Sequence, residues 1–176
     1  MRIVLISGKA RSGKDTTAKI IEKYLLSIGK RVLVVHYADF LKEFCRANYG
    51  YRGIKDVSDR YILQHVGTDI VRKNNPDTWV NIMVELLKGI KTEFDFVLIP
   101  DVRFENEIDV IKRNFDDVFC IDIIRDSFDN GLTESQKLHP SEMGLPECDF
   151  DKIIRNDGDL SDLEKSVVDV VSRNII

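Results

Sequence analysis

The chain has 176 residues, of which 43% are hydrophobic and 32% are charged, a composition typical of a globular protein with one sizeable core. Its 26 basic and 30 acidic residues give a net charge of −4, which provides no broad cationic surface for a nucleic acid polymer or an anionic membrane. The longest apolar runs, such as 32–35 and 96–99, are far shorter than the roughly 20 residues that span a bilayer. The apolar start at 3–6 is also shorter than a secretory segment of about 7–15 residues. We therefore expect a single domain over 1–176 that stays in the cytoplasm and binds neither nucleic acid polymers nor membranes.

Short runs rich in Val, Ile and Leu alternate with helical or irregular sequence along the chain. Near-continuous apolar strands of this kind are buried on both faces, which is typical of a parallel sheet covered by helices. We predict four such strands and a weaker fifth, at 2–6, 31–37, 94–99, 118–124 and 153–154. The fold class predicted by this alternation is α/β.

Helical sequence fills most of the segments between these strands. Apolar spacing and the positions of glycine predict helices at 14–28, 39–48, 59–73, 79–88 and 160–171. The mostly helical segment at about 39–92 is longer than a crossover needs, and an insertion of this size at one end of a sheet is typical of a substrate-binding lobe. A second interruption, at about 126–150, has no clear period and predicts a lid or binding loop.

A glycine-rich loop follows the first predicted strand and precedes the first predicted helix. Its sequence, GKARSGK, fits the phosphate-binding pattern G-x-x-x-x-G-K. Glycines let backbone N–H groups turn toward a phosphate, the helix N-terminus adds positive dipole, and the lysine reaches the outer phosphates. A glycine-rich turn with a chance lysine is the alternative, and the strand and helix on either side disfavour it. The loop consists of Gly8, Lys9, Ala10, Arg11, Ser12, Gly13 and Lys14.

The residue after the lysine departs from this pattern, because Asp15 stands where Ser or Thr is usual. Thr16 comes one position later. Asp15 and Thr16 are therefore both candidates for a magnesium contact, and the sequence does not choose between them. Alternatively, Asp15 is a first-turn acid that interacts favourably with the helix dipole.

The third predicted strand leads into a carboxylate, Asp101, and then into Arg103. A carboxylate at the end of an apolar strand beside a phosphate site is placed to hold magnesium, directly or through water. An arginine there can clamp a phosphate with its planar fork, which a lysine cannot imitate. The alternative for Arg103 is a surface ion pair with Glu107, one helical turn later.

A polar stripe runs along the predicted helix 59–73. Gln64, Thr68 and Arg72 recur at four-residue spacing, and Gly67 allows something to approach closely beside them. Such a stripe is often only the solvated face of a helix, but here it lies in the insertion where a second substrate would bind. Asp39 and Lys42 begin the same insertion, and Asp39 is equally suited to cap a helix.

The remaining polar residues carry weaker signals. Arg125, at the end of the fourth predicted strand, either faces a nucleotide or holds the lid by pairing with an acid. The turn from Asn156 to Gly158 leads into the last helix. His36 and His65 are interpreted as packing residues, and the sequence HPSE at 139–142 indicates an ordered turn of unassigned role.

Taken together, these motifs resemble the phage-type deoxynucleoside monophosphate kinases, within the nucleoside monophosphate kinase group of P-loop proteins. The resemblance covers most of the chain and becomes specific through LQHVGTDIVRKNNPDTWVN at 63–81 and DVRFENE at 101–107. Shorter matches are GKARSGKDT, ADFLK, HPSE and IIRNDGDLSDL. The resemblance implies a three-layer α/β/α P-loop NTPase fold with a five-stranded parallel sheet, ATP with Mg²⁺ as donor, and a deoxynucleoside monophosphate as acceptor. It also allows a homodimer.

The resemblance further implies roles for individual residues. Lys14, Arg72, Arg103 and Arg125 would be catalytic, and Asp15, Thr16 and Asp101 are the metal candidates. ATP would bind to the glycine loop, Asp15, Thr16, Asn156 and Gly158. The acceptor would bind to the residues of the insertion and the third strand: Asp39, Lys42, Gln64, Thr68, Arg72, Trp79 and Arg103.

Two other functions remain open at this stage. A P-loop kinase of another small phosphorylated metabolite, similar to phosphomevalonate kinase, would use the same loop and arginines with a different acceptor pocket. A nucleotide-binding regulatory module would hold a nucleotide without a second substrate. The guanine-reading pattern Asn-Lys-x-Asp and the switch pattern Asp-x-x-Gly of such modules are both absent from the sequence.

Overall fold

The computed structural model describes residues 1–54, 56–126, 131–133, 137–145 and 149–176. Five strands form one sheet in the order β2, β3, β1, β4, β5, and every neighbouring pair is parallel. The strands are β1 (Arg2–Ser7), β2 (Val32–Val34), β3 (Phe96–Val102), β4 (Val118–Ile124) and β5 (Lys152–Arg155). The predicted parallel sheet is therefore confirmed, including its weaker fifth strand.

Helices cover both faces of this sheet. They are α1 (Lys14–Ser27), α2 (Tyr37–Asn48), α3 (Val57–Gln64), α4 (Thr78–Ile90), α5 (Glu105–Asn114) and α6 (Leu160–Val170). Helices α1 and α6 pack on one face through residues such as Ile21, Leu25 and Val167. Helices α2, α4 and α5 pack on the other face, where Met83 and Ile111 are fully buried. The three-layer α/β/α arrangement is thus confirmed.

Helix α1 shows how local sequence determines an element that supports the glycine loop. Ala18, Ile21 and Leu25 recur on one face and are almost completely buried against the sheet. After the helix, Gly29 adopts φ +77°, and the N–H of Lys30 bonds the carbonyl of Leu25 at 3.1 Å. The glycine therefore ends this helix as predicted.

Three elements differ clearly from the sequence-based prediction. Strand β2 spans only Val32–Val34 instead of 31–37, and Tyr37 already belongs to α2. Helix α3 ends at Gln64 and continues as a π-helical segment, His65–Arg72, rather than as one regular α-helix. Helix α5 was not predicted, because its first turn is rich in acidic and amide residues and its apolar face is short. It nevertheless buries Ile108, Val110 and Ile111.

The parallel sheet brings several predicted site residues to one edge. The glycine loop follows β1, α2 follows β2, Arg103 follows β3, Arg125 follows β4 and Asn156 follows β5. Ligands of open α/β sheets bind outside the carboxyl ends of the strands, where such loops meet. Among the described residues, no helix is long and apolar enough to cross a membrane. The predicted lid at 126–150 lies partly outside the described ranges.

Candidate active site

The glycine loop has the backbone geometry that a phosphate cradle requires. Gly8 adopts φ +142°, and a Cβ there would lie 2.5 Å from the carbonyl oxygen of Ile123. Gly13 adopts φ +109°, and a Cβ there would lie 2.5 Å from Nδ2 of Asn156. No other residue type fits these two positions without displacing the surrounding backbone or side chains. The hydroxyl oxygens of Ser12 and Thr17 are buried without a hydrogen-bond partner among the described residues, so polar groups remain available in this loop.

Lys14 crosses back over this loop. Its Nζ donates hydrogen bonds to the carbonyl oxygens of Gly8 and Lys9, at 2.7 and 2.8 Å. The pKa of Lys14 is lowered to about 8, chiefly by burial and then by the nearby charge of Arg103, whereas the charges of Glu142, Asp15 and Asp101 act in the opposite direction. No carboxylate of the described residues forms a salt bridge with this ammonium group. A buried cation of this kind is suited to an anionic ligand.

A cavity of about 390 Å³ opens on one side of Lys14, and we call it the smaller cavity. Asn156 anchors its wall, because its Nδ2 donates a hydrogen bond to the carbonyl of Ser12 at 2.8 Å. The cavity brings together most of the residues that the sequence assigned to ATP: Arg11, Gly13, Lys14, Asp15, Thr16, Asn156 and Gly158. Arg125, assigned as catalytic, lines it as well. Residues from three separate loops therefore meet here.

A second cavity of about 800 Å³, the larger cavity, opens on the other side. It brings together most of the residues assigned to the acceptor and to the metal: Lys42, Gln64, Thr68, Arg72, Trp79, Asp101 and Arg103. Ala10 of the glycine loop lines this cavity as well. Arg11, Lys14 and Asp15 line both cavities. The two spaces therefore meet at the lysine of the glycine loop.

The polar stripe of the insertion faces the larger cavity. Gln64 at the end of α3 and Thr68 and Arg72 of the π-helical segment all line it. Gly67 lets α2 pack closely, since a Cβ there would lie 2.5 Å from Cδ2 of Leu41. The Nε1 of Trp79 donates to the carbonyl of Gly67 at 3.1 Å. The indole thus fixes the segment that carries the stripe.

Arg72 is held by a buried carboxylate rather than by solvent. Its side chain is only 11% exposed and forms a salt bridge with Glu107 of α5. Nη1 donates to the carbonyl of Pro76 at 3.2 Å, and the guanidinium lies 4.0 Å from the ring centre of Phe104. The alternative of a solvated helix face is therefore wrong for Arg72.

Glu107 connects this arginine to the end of β3. Its Oε2 accepts hydrogen bonds from the backbone N–H groups of Arg103 and Phe104, at 2.7 and 3.1 Å. Burial raises the pKa of the Glu107 carboxyl to about 7, although the Arg72 guanidinium acts in the opposite direction. The Glu107 carboxylate therefore holds both the side chain of Arg72 and the backbone turn at 103–104 in the cavity wall.

Arg103 has a different partner from the one considered in the sequence. Its Nη1 donates to Oε1 of Glu142 and to the carbonyl of Ser141, both at 2.7 Å. The same Oε1 lies 3.7 Å from Nη1 of Arg60. The alternative of an ion pair between Arg103 and Glu107 is wrong, because Glu107 contacts the backbone N–H of Arg103 and not its guanidinium. Arg103 lines the larger cavity.

Asp101 combines a structural role with a place on the cavity wall. Its two carboxylate oxygens accept the backbone N–H groups of Tyr37 and Ala38 at the start of α2, at 3.0 and 2.9 Å. Burial raises the pKa of Asp101, and these hydrogen bonds act in the opposite direction. Each oxygen keeps a second lone pair for a further contact.

The candidate metal ligands fit magnesium better than a metal with several protein ligands. Among the described residues there is no group of three or more His, Cys, Asp or Glu side chains that could hold a metal ion. Magnesium bound with phosphates usually takes only one or two carboxylates from the protein. Asp101 lines the larger cavity, Thr16 the smaller, and Asp15 both. The donor set therefore fits an ion shared with phosphate oxygens.

The start of α2 differs from the prediction in two residues. Asp39 does not line either cavity among the described residues, and its carboxylate bonds the backbone N–H of His36 at 3.1 Å and Nζ of Lys42 at 3.1 Å. The helix-capping alternative is therefore correct only in part, because His36 is the N-cap and Asp39, in the first turn of α2, completes a capping box with it. The interpretation of His36 as a packing residue is wrong, because its ring lines the larger cavity 3.4 Å from Asp15. The pKa of His36 is raised mainly by its hydrogen bond to Asp15.

Three charged residues of the site were not predicted as such. Arg60 has no motif around it, and Glu107 and Glu142 appear in the sequence as ordinary polar helix or turn residues. Glu107 and Glu142 are buried against Arg72 and Arg103, which are distant from them in the chain. The HPSE sequence is the one signal that pointed toward Glu142.

Comparison with known proteins gives a consistent family. A family model described as "Deoxynucleotide monophosphate kinase" matches residues 27–167. The deoxynucleotide monophosphate kinase of Enterobacteria phage T4 is 32% identical over 109 residues, which are 60% of this chain and 42% of that protein. A putative deoxynucleotide monophosphate kinase of Acanthamoeba polyphaga mimivirus is 30% identical and covers 96% of this chain and 95% of its own length. The chain therefore spans less than half of the phage protein but nearly all of the mimivirus protein.

Solved structures share the fold at lower identity. The Mycobacterium tuberculosis APS kinase CysC, in complex with AMPPNP and APS, superposes with a TM-score of 0.56 and 14% identity. The match covers 97% of both chains. At this identity the likeness shows that the two proteins have the same fold.

Proposed function

Since the chain belongs to the deoxynucleotide monophosphate kinase family, we propose that it transfers the terminal phosphoryl group of ATP to a deoxynucleoside monophosphate. The observation that carries this proposal is the meeting of two cavities at Lys14, Arg11 and Asp15. A transferase needs adjoining sites for its two substrates, whereas a module that only binds a nucleotide needs one. Family membership was expected from the sequence and is confirmed.

The donor would occupy the smaller cavity and the glycine loop. Backbone N–H groups of the loop would bind the phosphates, and Lys14 would exchange its bonds to Gly8 and Lys9 for the outer phosphates. Arg125, Asn156 and Gly158 would surround the nucleoside part of ATP. The complex of the similar APS kinase with AMPPNP is consistent with ATP as donor.

The acceptor would occupy the larger cavity. Phosphoryl transfer between two anionic groups depends on positioning and charge neutralisation rather than on covalent chemistry with the protein. Arg103, with Arg72 beside it, would hold the acceptor phosphate against Lys14. Gln64, Thr68 and Lys42 line the same cavity and would contact the nucleoside. No general base is required, because a monophosphate is already ionised at neutral pH.

Magnesium would be held by Asp101, with Asp15 or Thr16 as further candidates. When bound with ATP, the ion neutralises charge on the phosphates. We predict that Asp101→Asn raises the magnesium concentration for half-maximal activity several-fold, because an amide oxygen is a weaker ligand than a carboxylate. A magnesium titration at fixed ATP measures this effect. An unchanged titration would assign the ion to another residue.

A panel of acceptors tests the proposed function. ADP release from Mg·ATP would be measured for the full chain with deoxynucleoside monophosphates, ribonucleoside monophosphates and non-nucleotide phosphates such as phosphomevalonate. We expect strong stimulation by at least one deoxynucleoside monophosphate and none in the Lys14→Ala variant. Stimulation by a non-nucleotide phosphate alone would overturn the acceptor class. ATP turnover that is equally fast without any acceptor would support the regulatory module instead.

A further inference from the structure

The turn formed by residues 139–142 lies against the larger cavity, and the proposed reaction does not yet explain it. Pro140–Glu142 forms one turn of 3₁₀-helix, capped by His139. The Nδ1 of His139 accepts the backbone N–H of Ser141 at 3.3 Å and lies 2.8 Å from its Oγ. The backbone N–H of Glu142 also bonds the carbonyl of His139 at 2.8 Å, so the turn is held together without the side chain of Glu142.

The side chain of Glu142 is directed at arginines instead. It is only 4% exposed, and its Oε1 accepts from Nη1 of Arg103 at 2.7 Å. Its Oε2 is buried without a hydrogen-bond partner among the described residues. Burial of a carboxylate is costly unless cations compensate it. Arg103 and Arg60 lie 2.7 and 3.7 Å from Oε1 of Glu142, and the charge of Glu142 also acts on Lys14. The Glu142 carboxylate therefore contacts arginines and does not stabilise the turn.

The contact determines which part of Arg103 remains available. Nη1 carries two N–H groups, and both are engaged, one by Glu142 and one by the carbonyl of Ser141. Nε and Nη2 have no hydrogen-bond partner among the described residues. These two nitrogens form one edge of the guanidinium fork, which is the edge that binds two phosphate oxygens in parallel.

We infer that Glu142 is a positioning residue that orients Arg103 so that its free Nε–Nη2 edge faces the acceptor phosphate. The inference rests on the proposed function, in which Arg103 binds that phosphate. Glu142 also lines the larger cavity, and in this role it holds Nη1 of Arg103 without having to touch the substrate. Without it, Nη1 keeps only the carbonyl of Ser141, and the fork can rotate about that single bond. Productive acceptor binding then becomes rarer, while the hydrogen bonds from Lys14 to Gly8 and Lys9 do not involve Glu142.

Steady-state kinetics on Glu142→Ala and Glu142→Gln test this inference. In Glu142→Ala we expect the acceptor kcat/KM, measured at saturating ATP, to fall about tenfold or more, since a hydrogen bond to a charged group is lost. The ATP kcat/KM, measured at saturating acceptor concentration, should change less than about twofold. Glu142→Gln should retain most acceptor activity, because its amide oxygen can still accept from Nη1. Glu85→Ala, at an exposed glutamate on α4, is the matched control.

A double-mutant cycle shows whether Glu142 acts through Arg103. If it does, Glu142→Ala should have little further effect in the Arg103→Lys background. Independent, multiplicative losses would overturn the inference, as would equal losses for ATP and acceptor or no loss in either single variant. Thermal unfolding and isothermal calorimetry of acceptor binding without ATP show whether a weakened variant is still folded. Failure of the alanine variant to fold leaves the glutamine variant and Glu142→Asp, whose shorter carboxylate should weaken acceptor use selectively.

The proposed function and the positioning role of Glu142 can be tested separately. Wild-type protein without any acceptor-dependent phosphoryl transfer would overturn the proposed function, and with it the role of Glu142. Normal wild-type transfer with unchanged Glu142 variants would overturn the positioning role alone.

Discussion

The glycine loop and the arginine-bearing wall of the larger cavity both present positive charge, but they are built differently. Lys14 bonds the carbonyl oxygens of residues 5 and 6 positions away. Arg72 and Arg103 are held by carboxylates 35 and 39 positions away. The loop is thus a local structure of backbone groups, whereas the arginine wall is assembled from buried ion pairs between distant elements.

This difference predicts how the two regions respond to substitution. In the loop, geometry depends on backbone conformation, so that loss of the lysine removes a charge and leaves the fold in place. In the arginine wall, removal of one partner leaves a buried charge without compensation. Removal of a charged side chain should therefore leave stability almost unchanged in the first region but lower it in the second.

The largest expected effect is that of Lys14→Ala on turnover. We expect kcat to fall by at least about 100- to 1000-fold, because a preorganised charge on the transferring phosphate is lost. Circular dichroism and the unfolding temperature should remain close to those of the unsubstituted protein. Wild-type turnover in this folded variant would remove Lys14 from the site.

Glu107→Ala should instead act mainly on stability. The substitution leaves Arg72 and two backbone N–H groups without their acceptor, and breaking such a buried pair costs about 3–5 kcal/mol. Urea denaturation measures this loss, with the exposed Glu85→Ala as control. A change below about 1 kcal/mol would contradict a supporting role of the pair.

Conservative replacement of the arginines should have an intermediate effect on acceptor use. In Arg103→Lys the acceptor kcat/KM should fall about 10- to 100-fold, because a lysine cannot make parallel contacts to two oxygens. Arg72→Lys should cost less, since Glu107 and the carbonyl of Pro76 already engage part of its fork. Affinity for ATP should change little in both variants.

Arg173→Lys, at an exposed site after α6, is the control for the change in side chain. Unaltered acceptor kcat/KM in Arg72→Lys would remove Arg72 from the acceptor site. A matching loss of ATP binding would move it to the donor side.

The smallest effect concerns pH and belongs to the glycine loop. The pKa of Lys14 is lowered to about 8 in the free protein, and bound phosphates should raise it again. Well below pH 8 the ammonium is already charged in the free protein, so that binding of Mg·ATP takes up no proton. Above pH 8 binding must take up a proton, so that affinity for Mg·ATP should be about tenfold lower at pH 9 than at pH 7. Calorimetry in buffers of different ionisation enthalpy should detect proton uptake at pH 9, and this uptake should be absent in Lys14→Ala.

Much of the donor side could be predicted from sequence because its determinants are close together in the chain. The glycines at 8 and 13 have the backbone angles that only glycine adopts readily, and the lysine follows directly. The strands that place Arg125 and Asn156 were recognisable as apolar runs. Helix α5 was missed because its apolar face is short and its first turn resembles exposed polar sequence.

The sequence by itself determined the parallel sheet, the phosphate-binding loop and the two groups of residues that line separate cavities. Only the tertiary structure decided which carboxylate holds which arginine. Asp39 has the same side-chain chemistry as the buried acids but caps α2, whereas Glu107 and Glu142 are buried against Arg72 and Arg103. The reason is physical: a glycine loop acts through its own backbone, while an ion pair depends on burial and distance, which arise only when remote segments pack together.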